Sequence, residues 1–166
     1  PVWTCGDSSK LKDLVGDIKA DLLFSCPPYA DLEVYSDLKE DISNMPYYDF
    51  MIVYKKIIKN CFDLLQDDSF AVWTVGEVRD KKGNYYNFVG DTIEAFREAG
   101  FNYYNEAILI TMVGSTSLRA GKYMKASRKL DKTHQNVLMF VKKKKKRAAK
   151  RCGDIEINIE LEDDLV

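Results

Sequence analysis

The chain has a single histidine, His134, and four scattered cysteines, Cys5, Cys26, Cys61 and Cys152. No two cysteines form a close pair of the CxxC kind, so a zinc site lacks its ligands and no metal is expected. Cys61 falls in a helical apolar pattern and reads as a small core residue, which suits a reducing compartment better than a disulfide framework. No apolar stretch approaches the roughly 18 to 20 residues of a membrane span, and the start lacks the charged-then-apolar pattern of a secretory signal. A soluble, intracellular protein is expected.

With 166 residues, 46% of them hydrophobic and 12% aromatic, the chain is long and apolar enough for one domain with a real core. Its formal net charge of -1 hides an uneven distribution. Lys142 to Arg151 hold eight basic side chains and Asp154 to Asp164 six acidic ones, which leaves 17 basic against 20 acidic groups in residues 1–141. The globular domain is therefore expected over residues 1–141, with residues 142–166 as a basic then acidic extension, solvated and flexible. Within the domain, Arg119, Lys122, Lys125, Arg128, Lys129 and Lys132 face only Asp131 in charge, so one segment is locally positive.

Apolar patterning predicts strand, helix, strand, helix, strand, helix, strand, loop, strand. Val2 to Cys5 reads as a short strand, followed by a helix over Lys10 to Val15 capped by Asp7 or Ser8. Ala20 to Ser25 is the second strand. Its run Leu22 to Phe24 without a polar residue is that of a parallel strand covered on both faces. Residues from Ala30 to Met45 are acidic and aperiodic and read as a long mobile loop. Pro46 suits the start of a helix that runs to Gln66, and Asp67-Asp68 turn the chain into a strand over Ser69 to Val75. Asn87 to Ala99 form the next helix, with Phe88, Ile93 and Phe96 inward and Gly100 as its cap. Glu106 to Val113 and Asn136 to Val141 complete the strands. This order implies an α/β sheet, mostly parallel, with helices on both faces and an antiparallel strand at the C-terminal end.

The densest local signal is Ser25-Cys26-Pro27-Pro28-Tyr29, directly after the second strand. Neither proline has an N–H to continue a ladder and both fix φ near −65°, so the strand stops and the backbone there is stiff. A tyrosine ring beside free carbonyls at a sheet edge can stack on a flat heterocycle while the oxygens accept from its amino group.

Cys26-Pro27-Pro28-Tyr29 resembles the (Asp/Asn/Ser)-Pro-Pro-(Tyr/Phe/Trp) motif of the S-adenosylmethionine-dependent DNA amino-methyltransferases, which methylate the exocyclic nitrogen of adenine or cytosine. The stretch FSCPPYADLEVYSD is similar to phage and prophage methylases, and the resemblance runs from Val2 to Val141. It implies a Rossmann-like methyltransferase sheet, S-adenosylmethionine as cofactor, DNA as partner, and a place in the cytoplasm of a bacterial or phage-infected cell. It assigns amine-orienting roles to Cys26 and the Pro27 carbonyl, a spacer role to Pro28 and base stacking to Tyr29. Asp7 and Ser25 become candidates for the cofactor side. Arg119, Lys122, Lys125, Arg128, Lys129 and Lys132 become candidates for DNA phosphates.

Two departures from the family pattern stand out. Cys26 occupies a position where the family has a stronger acceptor than a thiol. The family's Gly-rich cofactor turn, of the Asp-Pro-Phe-x-Gly-x-Gly type, is absent: Gly76 and Gly114 stand alone and Gly6-Asp7 is at best a turn near the adenine. The chain is thus expected to be the substrate half of a methyltransferase whose first strands lie upstream of Pro1, on another polypeptide, or are lost. The competing expectation is a methyltransferase-like subunit that binds nucleic acid or serves assembly without transfer activity. Plainer readings also stand: Asp7 as a helix cap, His134 as a structural donor, and Glu77, Arg79 and Asp80 as a surface ion cluster.

Overall fold

The computed structural model describes residues 1–112, 114 and 116–156. Its elements run α1 (Leu11–Val15), β1 (Ala20–Ser25), α2 (Tyr47–Leu64), β2 (Leu65–Val75), α3 (Phe88–Ala99), β3 (Asn102–Ile110), α4 (Thr116–Ser127), β4 (His134–Lys142) and α5 (Lys145–Arg151). The four strands form one sheet in the order β1-β2-β4-β3. β1 and β2 pair parallel through the α2 crossover, whereas β4 lies antiparallel to both β2 and β3. β1, β2 and β3 therefore run one way and β4 alone runs back, as the α/β reading with a reversed C-terminal strand anticipates.

α2 and α3 cover one face of this sheet. Register aligns Leu23 with Ala71, Ala71 with Phe140 and Trp73 with Leu138, and strand alternation sends all of them to the same side. Against them α2 lays Phe50, Tyr54 and Ile58, all essentially fully buried, and α3 lays Phe88 and Phe96. Phe96 stacks on Phe140 at 3.9 Å between ring centroids and meets the Trp73 ring at 5.2 Å. Each such side chain contributes about 1.5–3 kcal/mol by leaving water.

Most polar groups inside this core are paired, although the buried Ser69 hydroxyl finds no partner among the described residues. The Trp73 indole donates to the Tyr54 hydroxyl at 2.7 Å, which sits 3.2 Å from Thr92 Oγ1, and Thr92 in turn donates to the Phe88 carbonyl at 2.8 Å. At the far end, Lys142 is only 7% exposed, yet its ammonium donates to the Phe62 and Leu65 carbonyls at 2.7 Å each. A cation there satisfies the last carbonyls of α2 and offsets the negative end of its dipole.

Among the described residues the opposite face is covered at one end, by α5. α5 buries Ala148 there, Lys145 lies over the Tyr104 ring, and Arg147 and Arg151 reach Asp68 and Asp21. The basic run expected to be a solvated extension is thus a short helix tied to β1 and β2. It packs there through Ala148, whose small side chain is the one this helix buries. The acidic residues beyond 156 lie outside the described residues.

Three further expectations change. Val2 to Cys5 is irregular rather than a strand, with Val2 and Trp3 each about nine-tenths exposed. The Asp67-Asp68 turn is instead an irregularity within β2: the register jumps from Ala20 opposite Leu65 to Leu22 opposite Phe70, and Asp68 takes φ 57°. The loop expected over residues 114–132 contains α4, whose weakly amphipathic and strongly basic sequence conceals its helical period. Among the described residues no helix is long and apolar enough to cross a membrane, and no group of three His, Cys, Asp or Glu side chains could hold a metal ion.

Candidate active site

β1 stops at Ser25, and the diproline corner follows at the carboxyl end of the parallel strands, beside the end of β2. Pro27 is buried and Pro28 and Tyr29 are half-buried, while Cys26 is exposed. The chain then reverses at Ala30, which is fully buried with φ 50°. A non-glycine residue held in that region stores about 1–3 kcal/mol of strain, a feature that concentrates at functional sites. The Leu32 amide closes the turn on the Tyr29 carbonyl at 3.1 Å. The Pro27 carbonyl, by contrast, has no hydrogen-bond partner among the described residues, so an acceptor is left available on a rigid support.

The Tyr29 ring is wedged rather than swallowed. Its hydroxyl donates to the Thr74 carbonyl at 3.4 Å and lies 3.5 Å from Cys26 Sγ, and its ring centroid is 6.1 Å from that of Phe88. Burial, then the contact with Cys26, pushes the phenol well above its usual range, so it stays protonated. Beside it opens a cleft of about 220 Å³ lined by Cys26, Pro27, Tyr29, Leu32, Glu33, Tyr35 and Gln135. This is smaller than the roughly 300–1,000 Å³ of sites for larger ligands and suits one flat ring system.

The segment expected to be a mobile loop forms the outer wall. Ser43, 1% exposed, donates to Asp41 at 2.6 Å and accepts from the Tyr35 amide at 3.2 Å. Asn44 donates to the Ser36 and Leu38 carbonyls at 2.7 and 3.0 Å. The Tyr35 hydroxyl donates to Glu33 at 2.7 Å, and that bond raises the phenol above its ordinary value. Side-chain to backbone bonds of Ser, Asp and Asn fold loops locally without any hydrophobic period, and the Asp41-x-Ser43-Asn44 cluster was the available signal.

The predicted site residues divide into groups. Cys26, Pro27 and Tyr29 come together in the cleft, with Pro28 between them. Ser25 is the last residue of β1, opposite Trp73, and does not line the cleft. Asp7 caps a short 3-10 turn over Ser8–Lys10, accepting from the Ser9 amide at 2.8 Å, which lowers its pKa. That turn is held by Asn60, which donates to the Ser9 carbonyl at 3.0 Å. Asn60 lies 13 residues along α2 from Tyr47, about 20 Å by helical rise, and Tyr47 is the end near Phe88 and Tyr29. The structure therefore leaves Asp7 in its capping role, apart from Cys26 and Tyr29.

Among the basic candidates, Arg119, Lys122 and Lys125 are exposed on α4. Arg128 ends that helix with φ 56°, both its amide and guanidinium donating to the Met124 carbonyl. Lys129 lies over the Tyr123 ring and Lys132 over the Tyr85 ring, whose centroid is 3.7 Å from the Arg79 guanidinium carbon. Arg79 also donates to the Gly83 carbonyl and Asp80 accepts from the Lys82 and Asn84 amides, so these two build the 79–85 turn rather than a loose ion cluster. Glu77 accepts from the Phe88 amide at the start of α3. His134 opens β4 but is absent from the cleft; its neighbour Gln135, which sequence reasoning passed over, is present.

The family's cofactor has no evident seat on these residues. Gly76 is a single glycine against the Tyr29 ring, Asp7 is committed elsewhere, and no glycine-lined turn faces the cleft among the described residues. The Cys26 thiol, the Tyr29 ring and Pro27, whose carbonyl is unpartnered among the described residues, line one small opening, a set of groups suited to a planar amine.

Two solved structures similar to this chain in fold are DNA-modifying proteins by name. TTHA0409 of Thermus thermophilus, assigned as a DNA modification methylase and solved with S-adenosyl-L-methionine, matches 93% of this chain with a TM-score of 0.60 at 16% identity, over 57% of its own length. PvuII DNA methyltransferase, cytosine-N4-specific, matches 82% of this chain with a TM-score of 0.61 at 16% identity, over 47% of its own length. The chain thus spans about half the length of the structures it matches, and no curated protein matches it. A sequence profile described as DNA methylase matches residues 20–163, nearly the whole chain and its diproline corner included, and the chain belongs to that family.

Proposed function

We propose that this chain is the base-holding part of a DNA amino-methyltransferase that acts on the exocyclic amine of a flipped adenine or cytosine, with S-adenosylmethionine as methyl donor. The observation that carries this is a cleft at the carboxyl edge of the sheet, sized for one flat ring system and lined by Cys26, Tyr29 and Pro27, whose carbonyl has no partner among the described residues. An exocyclic amine donates its lone pair into the ring. An acceptor aimed at an amine hydrogen favours pyramidal nitrogen, and so acts where charge develops rather than on ground-state binding. Tyr29 offers its ring for stacking, and its tethered hydroxyl fixes the ring's tilt. The base must leave the duplex to reach so small an opening.

The methyl donor would be held by chain that these residues do not supply. β1 is an edge strand of the sheet, and on its uncovered side Leu22 and Phe24 are 57% and 69% exposed. Parallel strands are ordinarily buried on both faces, so an added segment, on the same polypeptide or a second one, fits against this edge and face.

A second reading is a methyltransferase-like subunit that binds nucleic acid without transfer, favoured by Cys26 and by the missing glycine turn. Binding of single-stranded oligothymidylate carrying one central adenine, one unsubstituted purine or one abasic site tests the cleft. Adenine is expected to bind tightest, and equal binding of all three would overturn the base-holding role. Calorimetric titration with S-adenosylmethionine should give no binding to this chain alone; a micromolar Kd would place the donor site within it and support the transfer reading directly.

A further inference from the structure

Of the polar groups around the cleft, most are already engaged. The Tyr29 hydroxyl donates to Thr74, the Tyr35 hydroxyl donates to Glu33, and the Pro27 carbonyl can only accept. Gln135 is different. It is the second residue of β4, half-buried, in register with Leu109. Its amide makes no side-chain hydrogen bond among the described residues, while the next residue, Asn136, donates to Glu106. A side-chain amide carries two donors and one acceptor. Gln135 therefore supplies the uncommitted N–H of an opening otherwise lined by acceptors and apolar surface.

This has a chemical counterpart. A base with an exocyclic amine presents, beside that donor, a ring nitrogen that accepts: N1 or N7 in adenine, N3 in cytosine. If the amine hydrogen goes to the Pro27 carbonyl, the ring nitrogen needs a donor or is desolvated without compensation, at about 1–3 kcal/mol. Glutamine pairs with an amine and its neighbouring ring acceptor in direct readout of adenine. We propose that Gln135 is a specificity-determining residue, donating its amide N–H to the ring nitrogen beside the target amine. Where that nitrogen is N1 of adenine or N3 of cytosine, it thereby selects an amino-and-acceptor edge over the carbonyl-and-N–H edge of thymine, guanine or hypoxanthine. The inference rests on the base-holding role proposed above.

Atom deletion in the ligand separates the two claims. The full chain is titrated with oligothymidylate carrying one central adenine, 1-deazaadenine, 7-deazaadenine or hypoxanthine, and compared with Gln135→Leu, Gln135→Glu and Tyr29→Ala. One of the two deaza bases should weaken binding to the unaltered chain about 2- to 12-fold, the range of one neutral hydrogen bond. Gln135→Leu should bind adenine weaker by the same factor and no longer distinguish adenine from that deaza base. Gln135→Glu, which can only accept when ionised, should lose more for adenine and, where 1-deazaadenine is the weakened base, gain relative preference for hypoxanthine, whose N1–H donates. If Gln135→Leu keeps the adenine-to-deaza ratio of the unaltered chain, or neither deletion matters, Gln135 does not read the base. A concurrent loss in Tyr29→Ala would then leave the base-holding role intact. If Tyr29→Ala also binds normally, both claims fall. The deaza comparison uses the unaltered chain and so does not depend on how any variant folds.

Discussion

The Tyr29 hydroxyl lies 3.5 Å from the Cys26 sulfur and 3.4 Å from the Thr74 carbonyl. A phenol has one proton, and a carbonyl is the better acceptor, so the proton goes to Thr74 and the thiol donates to the phenol oxygen. Cys26 thus helps position the ring, and with its proton so engaged it has only weakly accepting lone pairs to offer an amine. Cys26→Ser replaces the thiol with a hydroxyl, a stronger donor and acceptor. It should raise the preference for adenine over unsubstituted purine by up to about fivefold, roughly 1 kcal/mol, as read by competition binding. An unchanged or smaller preference would show that the Pro27 carbonyl alone orients the amine.

Tyr29 offers two separable contributions. Tyr29→Phe keeps the ring and removes the tether to Thr74, so adenine binding should fall no more than about threefold, within one net hydrogen bond. Tyr29→Ala removes the stacking surface, worth about 1–3 kcal/mol per base, and affinity should fall about 5- to 150-fold. Fluorescence of 2-aminopurine at the central position reports the same step: its quenching on binding should persist in the Phe variant and vanish in the Ala variant. Equal quenching in both would place the base elsewhere.

α4 tests the DNA surface. Arg119, Lys122 and Lys125 are exposed there, in a helix that offers few apolar residues to the core. Changing all three to Ala should leave the melting temperature within a few degrees while flattening the dependence of duplex affinity on salt. Each lost phosphate contact lowers the slope of log K against log salt by about 0.9. An unaltered slope, measured by anisotropy across a salt series, would remove this helix from the interface.

The core network makes a stability prediction of a different kind. Tyr54 is 1% exposed, and its hydroxyl is the acceptor for the Trp73 indole N–H. Burial pushes this phenol above its ordinary range, opposed by the Thr92 and Trp73 bonds. Tyr54→Phe leaves that N–H buried without a partner, which should cost about 1–3 kcal/mol in urea unfolding with the m-value unchanged. The double variant Tyr54→Phe with Trp73→Phe should recover part of the loss from the missing partner, because no orphaned donor remains.

The parts of this molecule written in hydrophobic period were legible in its sequence. α2 and α3, with Phe50, Tyr54, Phe88 and Phe96 on their inner faces, follow from spacing alone, and Gly100 closes α3 with φ 111° as a glycine cap should. The diproline corner was legible because proline acts through its own covalent geometry. What escaped detection depends on polar groups or on partners distant in sequence. α4 and α5 are mostly charged, and only Ala148 of α5 shows the burial that keeps that helix in place. Gln135 reaches the cleft only because β4 inserts beside β2, 106 residues after Tyr29 in the chain. No local pattern encodes that.

Asp41 links pH to the wall of the cleft. The Ser43 hydroxyl and amide, the largest influences, with smaller help from Ser36, hold its carboxyl below the ordinary value of 3.8. A carboxyl with a lowered folded pKa stabilises its surroundings fully above the ordinary value and loses that contribution as pH falls through the depressed one. The loop should therefore stay ordered at neutral pH and loosen only below about pH 4, releasing Ser43 and with it the Tyr35 amide. Titration of the Tyr35 and Ser43 amide resonances should show a shared midpoint below 3.8, while α3 resonances stay put. Asp41→Ala should show the acid-state shifts already at pH 7 and weaken adenine binding, because Tyr35 loses its support. A Tyr35 midpoint at or above the ordinary carboxylate value, or an Asp41→Ala spectrum identical to the parent in this segment, would mean that the wall is held by something other than this carboxylate.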